Sequence, residues 1–214
     1  MNNISIVNTL PLVFQGKGEP KSDIWHKNIV FEKRKIYLVQ ADSGTGKSSL
    51  LSYIYGYRND YEGTICFDDK DSKSLTKKQW TKLRQNNLAL LWQDLRLFPE
   101  LTAMENVMIK NNLTNFQSMD TIQQWFAMLG IQDKINALIG KMSFGQQQRV
   151  ALIRTLCQPF DFVFLDEPIS HLDDNNAMIM AEILMNEAKR QGAGVIITSI
   201  GKHMVLNYDY LLKL

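Results

Sequence analysis

The chain has 214 residues, 45% hydrophobic and 21% charged, with a formal net charge of +2. This is ordinary globular composition, enough for one large domain or one domain of two lobes, and the charge is too small to mark a nucleic-acid footprint. Cys66 and Cys157, far apart, support neither a disulfide framework nor a metal-ligand spacing. The start, MNNISIVNTLPLVF, lacks the basic opening and long apolar core of a signal peptide. No window approaches about 18 uninterrupted apolar residues, so no spanning helix is expected. A cytosolic protein is expected, held at a membrane only through another chain.

Residues 4–14 are rich in β-branched and apolar side chains and predict early strands, closed by turn chemistry at 15–20 (QGKGEP). A short apolar strand at 35–40 (KIYLVQ) runs directly into ADSGTGKSSLLSYIYGY at 41–57. Residues 63–69 (GTICFDD) read as a strand ended by acidic turn residues, and the densest basic stretch, KKQWTKLRQNN at 77–87, as a solvated helix face. LALLWQ at 88–93 is an apolar strand that ends in polar Gln93. From 94 to about 158 the periodicity is helical, as in TIQQWFAMLG at 121–130 with its glycine stop. FVFLDEP at 162–168, a helix around 177–190 and GVIITSI at 194–200 complete the pattern. Strands alternating with helices at both ends predict an α/β fold with a mostly parallel sheet and helices on its faces. The helical block at 94–158 has no flanking linker and reads as a lobe inserted into a core of 1–93 and 159–214.

Strand, glycine-containing loop and helix follow one another at 35–51. Such a loop aims several backbone N–H groups at one point beside a helix N-terminus, which suits a phosphate. Ser43, Gly44, Thr45, Gly46, Lys47, Ser48 and Ser49 are the candidate binding residues. Lys47 would reach the terminal phosphates, and the Ser48 hydroxyl would ligate Mg²⁺. The motif is incomplete, because its first glycine position is Ala41. Asp166 and Glu167 end a second apolar strand, and in open parallel sheets ligands bind beyond the carboxyl ends of strands. If the two strands are neighbours, Asp166 reaches the metal shell held by Ser48, and Glu167 faces the attacking water as a base or positioning group. A solvated acid pair in a strand-end turn is the simpler alternative.

Further elements fall in a fixed order. Gln93 is followed by LRLFPELTAMENV at 95–107, MSFGQQQRVALIRTL at 142–156 precedes FVFLDEP, SHLD at 170–173 follows Glu167, and VIITS at 195–199 comes later. In this order the chain resembles, over essentially its whole length, the nucleotide-binding domain of ABC transporters, and its FPELTAMENV run looks like the lipoprotein-release and macrolide-export type. The resemblance implies a P-loop NTPase fold, with an antiparallel β part near the N-terminus and an inserted helical lobe. It also implies ATP and Mg²⁺ as ligands and a dimer, with a second copy or a related ATPase chain, that sandwiches two ATP molecules. A separate membrane subunit would hold the dimer at the cytoplasmic face, meeting it around 93–106, and nucleic acid would have no part. Carried over by position, Gln93 senses Mg²⁺ and water, while Ser143, Gly145 and Gln146 contact the partner chain's ATP. Asp173 lies in the loop that communicates across the dimer. Phe14 is the first candidate for stacking on adenine and Trp25 the second.

Three positions depart from the family pattern. Ala41 replaces a glycine, which is tolerable only where φ is negative. Phe144 stands where the signature carries a small residue, and its ring either crowds the partner's ATP or points away. The switch histidine position is Ser199, which can hydrogen-bond but cannot hold a proton; His203 would replace it only with a different backbone course. Ser143 and Gln146 also fit a plain helix capping box, as do Thr102 and Glu105. The expected activity is ATP hydrolysis powering transport, slowed by these departures. The alternative is an ATP-binding regulatory or assembly module with little turnover.

Overall fold

The first layer of the molecule follows from period-two burial along β1 (Asn3–Pro11), which turns Ile4 and Ile6 inward. In the computed structural model, which describes residues 1–16, 18, 20–42 and 44–214, β1 pairs antiparallel with β2 (Asn28–Glu32) and with β4 (Tyr61–Phe67). A two-residue β5 (Lys70–Asp71) adds to β4 and gives the order β2-β1-β4-β5. Lys17, Glu19 and Ser43 lie outside the described residues. Part of the predicted turn at 15–20 and the Ser43 position of the phosphate loop are therefore not described. The early strand ends at Pro11, and 12–14 form a 3-10 turn. The register between β1 and β4 shifts between Val7 and Leu10. There Gly63 takes φ 80°, and a side chain on it would run into the Asn8 carbonyl.

The second sheet is parallel throughout, in the order β6-β7-β8-β3-β9. Its strands are β3 (Ile36–Gln40), β6 (Leu88–Leu91), β7 (Phe162–Asp166), β8 (Gly194–Ser199) and β9 (Tyr210–Lys213). β7 and β8 are buried at every residue, as expected of parallel strands covered on both faces. Their side chains divide by alternation. Val163, Leu165, Val195 and Ile197 join one apolar cluster, while Phe162, Phe164 and Ile196 join the other.

The second cluster lies between the two sheets and includes Leu50, Leu51, Tyr53 and Ile54 of α1 (Lys47–Ile54). The first holds four helices, α3 (Ala103–Asn111), α4 (Met119–Met128), α5 (Phe144–Leu156) and α6 (Asp174–Gln191). The block at 94–158 thus shares one apolar core with the sheet. Its segments start as the sequence signals: Thr102 with Glu105 and Ser143 with Gln146 form complete capping boxes, and Ser118 caps α4. Asn106, fully buried, holds the preceding turn by donating to the carbonyls of Phe98 and Thr102 while its Oδ1 accepts from the Phe98 N–H.

Several expectations are corrected. β6 stops at Leu91, so Gln93 stands two residues beyond its strand, in a turn. The basic stretch forms α2 (Lys77–Asn86), capped by Thr76 with Gln79, but it is not a wholly solvated face. Trp80 and Leu83 pack against the second cluster, and the Arg84 guanidinium lies over the Tyr57 ring. β2 and the edge strand β9 carry little sequence signal of their own, being short strands at sheet edges. Most consequentially, β3 and β7 are not neighbours, because β8 lies between them.

The strained pairing at the β1–β4 bulge makes a prediction. Gly63→Ala should destabilise the fold by about 2 kcal/mol or more. Urea unfolding should show an earlier midpoint at unchanged slope; an unmoved midpoint would mean that the bulge relaxes without cost.

Candidate functional site

The site begins at the loop between β3 and α1. Gly46 is the N-cap of α1 at φ 98°, and no described side chain caps the helix. The N–H groups of its first turn are left for an external acceptor, reinforced by the helix dipole. Gly46 has a second reason to be glycine: a Cβ would meet the Phe14 ring at 3.0 Å and the Trp25 ring at 3.2 Å. Trp25 is 1% exposed and donates its indole N–H to the Thr45 carbonyl at 2.9 Å. It is a buried prop under the loop with no open face for a base. Phe14, half-buried, flanks the loop. Thr45 Oγ1 donates back to the Asp42 carbonyl at 2.9 Å, and the Ser49 hydroxyl accepts from Arg58 at 3.0 Å. Gly44 is exposed at φ 85°. Ala41 stays out of the left-handed region, so its methyl is accommodated, and its N–H donates to the Ser199 carbonyl at 3.0 Å.

Lys47 is buried and lies between two carboxylates. Its ammonium is 3.6 Å from Asp166 Oδ1 and bonds Glu167 Oε1. The pair forms although β8 lies between β3 and β7, because Lys47 stands not on β3 but at the start of α1, beyond the loop at 41–46. Burial pushes the Lys47 ammonium below its usual pKa, and the Asp166 charge opposes that shift. Asp166 Oδ1 also accepts from Thr198 Oγ1 at 2.6 Å, which fixes the carboxylate from the middle strand.

Glu167 follows at φ 48°, an uncommon conformation for a residue with a side chain. It is held from two sides. Its N–H donates to the Thr198 carbonyl at 3.1 Å, and its carbonyl accepts from Gln148 Nε2 at 3.2 Å. Gln148 lies on α5, is 1% exposed, and leaves Oε1 unpartnered among the described residues.

A cleft of about 430 Å³ opens beside this pair, lined by Ser48, Gln93, Asp166, Phe144 and His171 among others. A hydroxyl, an amide and a carboxylate converge there. Ser48, Gln93 and Asp166 form a hard oxygen set that fits Mg²⁺, which keeps waters and borrows substrate phosphates, while Asp94, the second lining carboxylate, pairs with Arg96.

The first turn of α5 packs on the turn after Glu167. A Cβ on Gly145 would meet the His171 carbonyl at 3.2 Å and Leu172 Cδ2 at 3.3 Å. The Phe144 ring, 41% exposed, stands edge-on to the His171 ring with centroids 4.5 Å apart. The departure at Phe144 is thus laid on its own chain. Ser143 and Gln146 are engaged in capping α5. Asp173 caps α6, accepting the Asn176 N–H at 2.8 Å, which holds its carboxyl below the usual range. Ser199 is buried, and its hydroxyl donates to the Lys202 carbonyl at 2.6 Å. His203 sits outside the cleft lining, on the Gly201 carbonyl and the Tyr208 ring, and so does not replace it.

A family model described as ABC transporter matches residues 27–170. The chain belongs to the ABC transporter family. It is 27% identical over 219 residues to a lipoprotein-releasing system ATP-binding protein LolD of Buchnera aphidicola, covering 100% of this chain and 96% of that one. It is 30% identical over 172 residues to LolD 2 of Rhodopseudomonas palustris, covering 79% and 74%. The dimeric structure of MJ0796, a bacterial ABC transporter cassette, superposes with TM-score 0.78 at 24% identity, covering 92% of this chain and 87% of that one, and bears on the fold alone. This chain is the ATP-hydrolysing cassette of an ABC transporter, and the regulatory alternative is not favoured. Among its described residues no helix is long and apolar enough to cross a membrane.

Sequence reasoning missed Gln148, one of three consecutive glutamines. The available signal was helical spacing, since it lies three residues after Gly145, on the face that meets the 167–173 turn. If Gln148 holds the strained Glu167 backbone of this cassette, Gln148→Met should lower ATP turnover about tenfold, the worth of one hydrogen bond at a buried polar group. Nucleotide affinity should stay within about twofold. Equal loss of both would mean that Gln148 supports the fold as a whole.

Proposed function

We propose that this cassette binds Mg-ATP at the α1 N-terminus and hydrolyses it with Glu167. In this reading it powers a lipoprotein-release-type transporter through a separate membrane subunit at the cytoplasmic face. The observation that carries this reading is the meeting of Lys47, Asp166 and Glu167 at the uncapped start of α1. The Lys47 ammonium moves from the carboxylates to the terminal phosphates, so that its buried charge keeps a counter-charge. The α1 N–H groups, with Gly44, Thr45, Gly46 and Ser49, cradle the phosphates. Phe14 offers a half-exposed ring to the base, and Ser43 belongs to the same loop by sequence. Ser48, Gln93 and Asp166 hold the metal, which when bound neutralises charge on the phosphate oxygens. Release of Glu167 from Lys47 leaves its carboxylate free to accept a proton from the attacking water.

The second copy, or a related chain, closes the site with the first turn of α5. Ser143 and Gln146 are engaged in the cap, so the turn offers the partner's ATP mainly its backbone donors beside Gly145. Asp173 fixes the adjoining turn by capping α6. Ser199 gives its hydroxyl to the Lys202 carbonyl and supplies no imidazole, which supports slower hydrolysis. Loss of one such group costs about 2 to 4 kcal/mol of transition-state stabilisation, roughly a hundredfold or more in rate. The likeness to two lipoprotein-releasing ATP-binding proteins supports the transporter type.

The test is Mg-ATP turnover by the purified chain beside Glu167→Gln, with and without a chelator. Turnover should fall at least a hundredfold in the variant and vanish on chelation, while nucleotide still binds the variant. Turnover indifferent to Glu167→Gln would remove Glu167 from the chemistry, and turnover indifferent to the chelator would remove the metal.

A further inference from the structure

We propose that His171 is a further catalytic residue of this cassette: Phe144 and Ser170 place its imidazole so that Nε2–H donates to a terminal phosphate oxygen in its own chain's cleft. The proposal rests on the reading above that Ser48, Gln93 and Asp166 mark the metal and phosphate end of that cleft.

His171 lines the same cleft as Ser48, Gln93 and Asp166. The chain holds three histidines, and His171 is the one among the cleft's lining residues. His203 is exposed on the Gly201 carbonyl and the Tyr208 ring, and His26, its N–H on the Thr9 carbonyl, is not among the cleft's lining residues.

The residue is gripped from three directions. The turn from Glu167 is closed by the Ser170 N–H on the Glu167 carbonyl at 3.4 Å. The His171 carbonyl lies so close to Gly145 that a methyl there would press on it. The Phe144 ring meets the imidazole at 64°, the edge-to-face arrangement that aromatic quadrupoles favour. This contact accounts for a half-exposed phenylalanine at a helix start. One imidazole nitrogen is already engaged, since Nδ1 is 2.9 Å from Ser170 Oγ. The proposal takes the hydroxyl as donor to Nδ1, which puts the proton on Nε2, the nitrogen left free to donate.

Among the other lining groups Arg96 is a second donor, but its guanidinium lies over the Trp92 ring and against Asp94 at 3.3 Å, and Ser52 carries a hydroxyl. Asp166 accepts from Thr198 and faces Lys47, so it presents no donor. Ser48 and Gln93 are assigned to the metal. As the terminal phosphoryl group transfers, charge builds on its equatorial oxygens. A preorganised N–H donor aimed there acts on the transition state more than on bound ATP.

The experiment measures single-turnover and steady-state Mg-ATP hydrolysis by the full chain, with a Mg-ATP binding titration, for His171→Ala, His171→Gln, Phe144→Gly and the double variant His171→Ala/Phe144→Gly. Expected are a fall in kcat of at least tenfold for His171→Ala with affinity within threefold, and partial recovery for His171→Gln, whose amide can still donate. Phe144→Gly should also lower kcat, and should add little in the His171→Ala background. His203→Ala should match the parent. The proposal is overturned if His171→Ala keeps kcat within twofold, if affinity and kcat fall together in both His171 variants, or if the Phe144 and His171 effects simply add. Lys47→Ala and Asp166→Asn run alongside. If they leave binding and turnover intact, the cleft reading falls and takes the proposal with it. If they abolish turnover while His171→Ala does not, only the role of His171 falls.

Discussion

A lysine ammonium taken out of water needs counter-charge, and Lys47, 7% exposed, has two carboxylates. The rest of the site can be derived from that requirement. Asp166 must be held still, and Thr198 on β8 does so by donating to it. Glu167 must turn back toward the lysine directly after the strand, which forces a left-handed backbone at a residue with a side chain. That conformation persists because β8 takes its N–H and α5 supplies a donor to its carbonyl. In the proposed reading, a polyphosphate at the α1 N-terminus would compete for the same ammonium and redirect it.

The first turn of α5 serves two surfaces at once. Outward, it is a capped helix start whose backbone donors remain directed away from the core. Inward, Gly145, Phe144 and Gln148 bear on the 167–173 turn of their own chain. The start of α5 and the turn beyond Glu167 are therefore in direct contact. The departures gain physical meaning in this setting. Ala41 costs little because its φ is not positive. Phe144 does not obstruct the α5 start from within; it leans on His171. Ser199 is absorbed into the turn that follows β8.

The sequence made the phosphate loop legible because its requirements are local. Gly46 must take a positive φ, Lys47 must follow it, and an apolar strand and an apolar-faced helix must flank both. Asp166 with Glu167 was legible for the same reason, as acids ending a fully apolar strand. The capping boxes at Thr102 and Ser143 were also readable, since partner and cap are three residues apart. By contrast β2 and β9 gave weak signals, being short strands at sheet edges with exposed residues on one or both faces. Trp25 could be named as an aromatic near the loop, but its burial beneath Thr45 depends on contacts from outside its own segment.

The sequence by itself determined the α/β character, the anion-binding helix start, the acid pair and the caps, because each is settled by dihedral preferences and hydrogen bonds within a few residues. The tertiary structure alone decided that β8 stands between β3 and β7, that Lys47 nonetheless reaches Asp166 and Glu167, and that Gln148 and Phe144 grip the turn beyond them. Those contacts join residues distant along the chain. They are selected by how two apolar clusters fill the two faces of one sheet, a condition on the whole molecule that no short stretch can express.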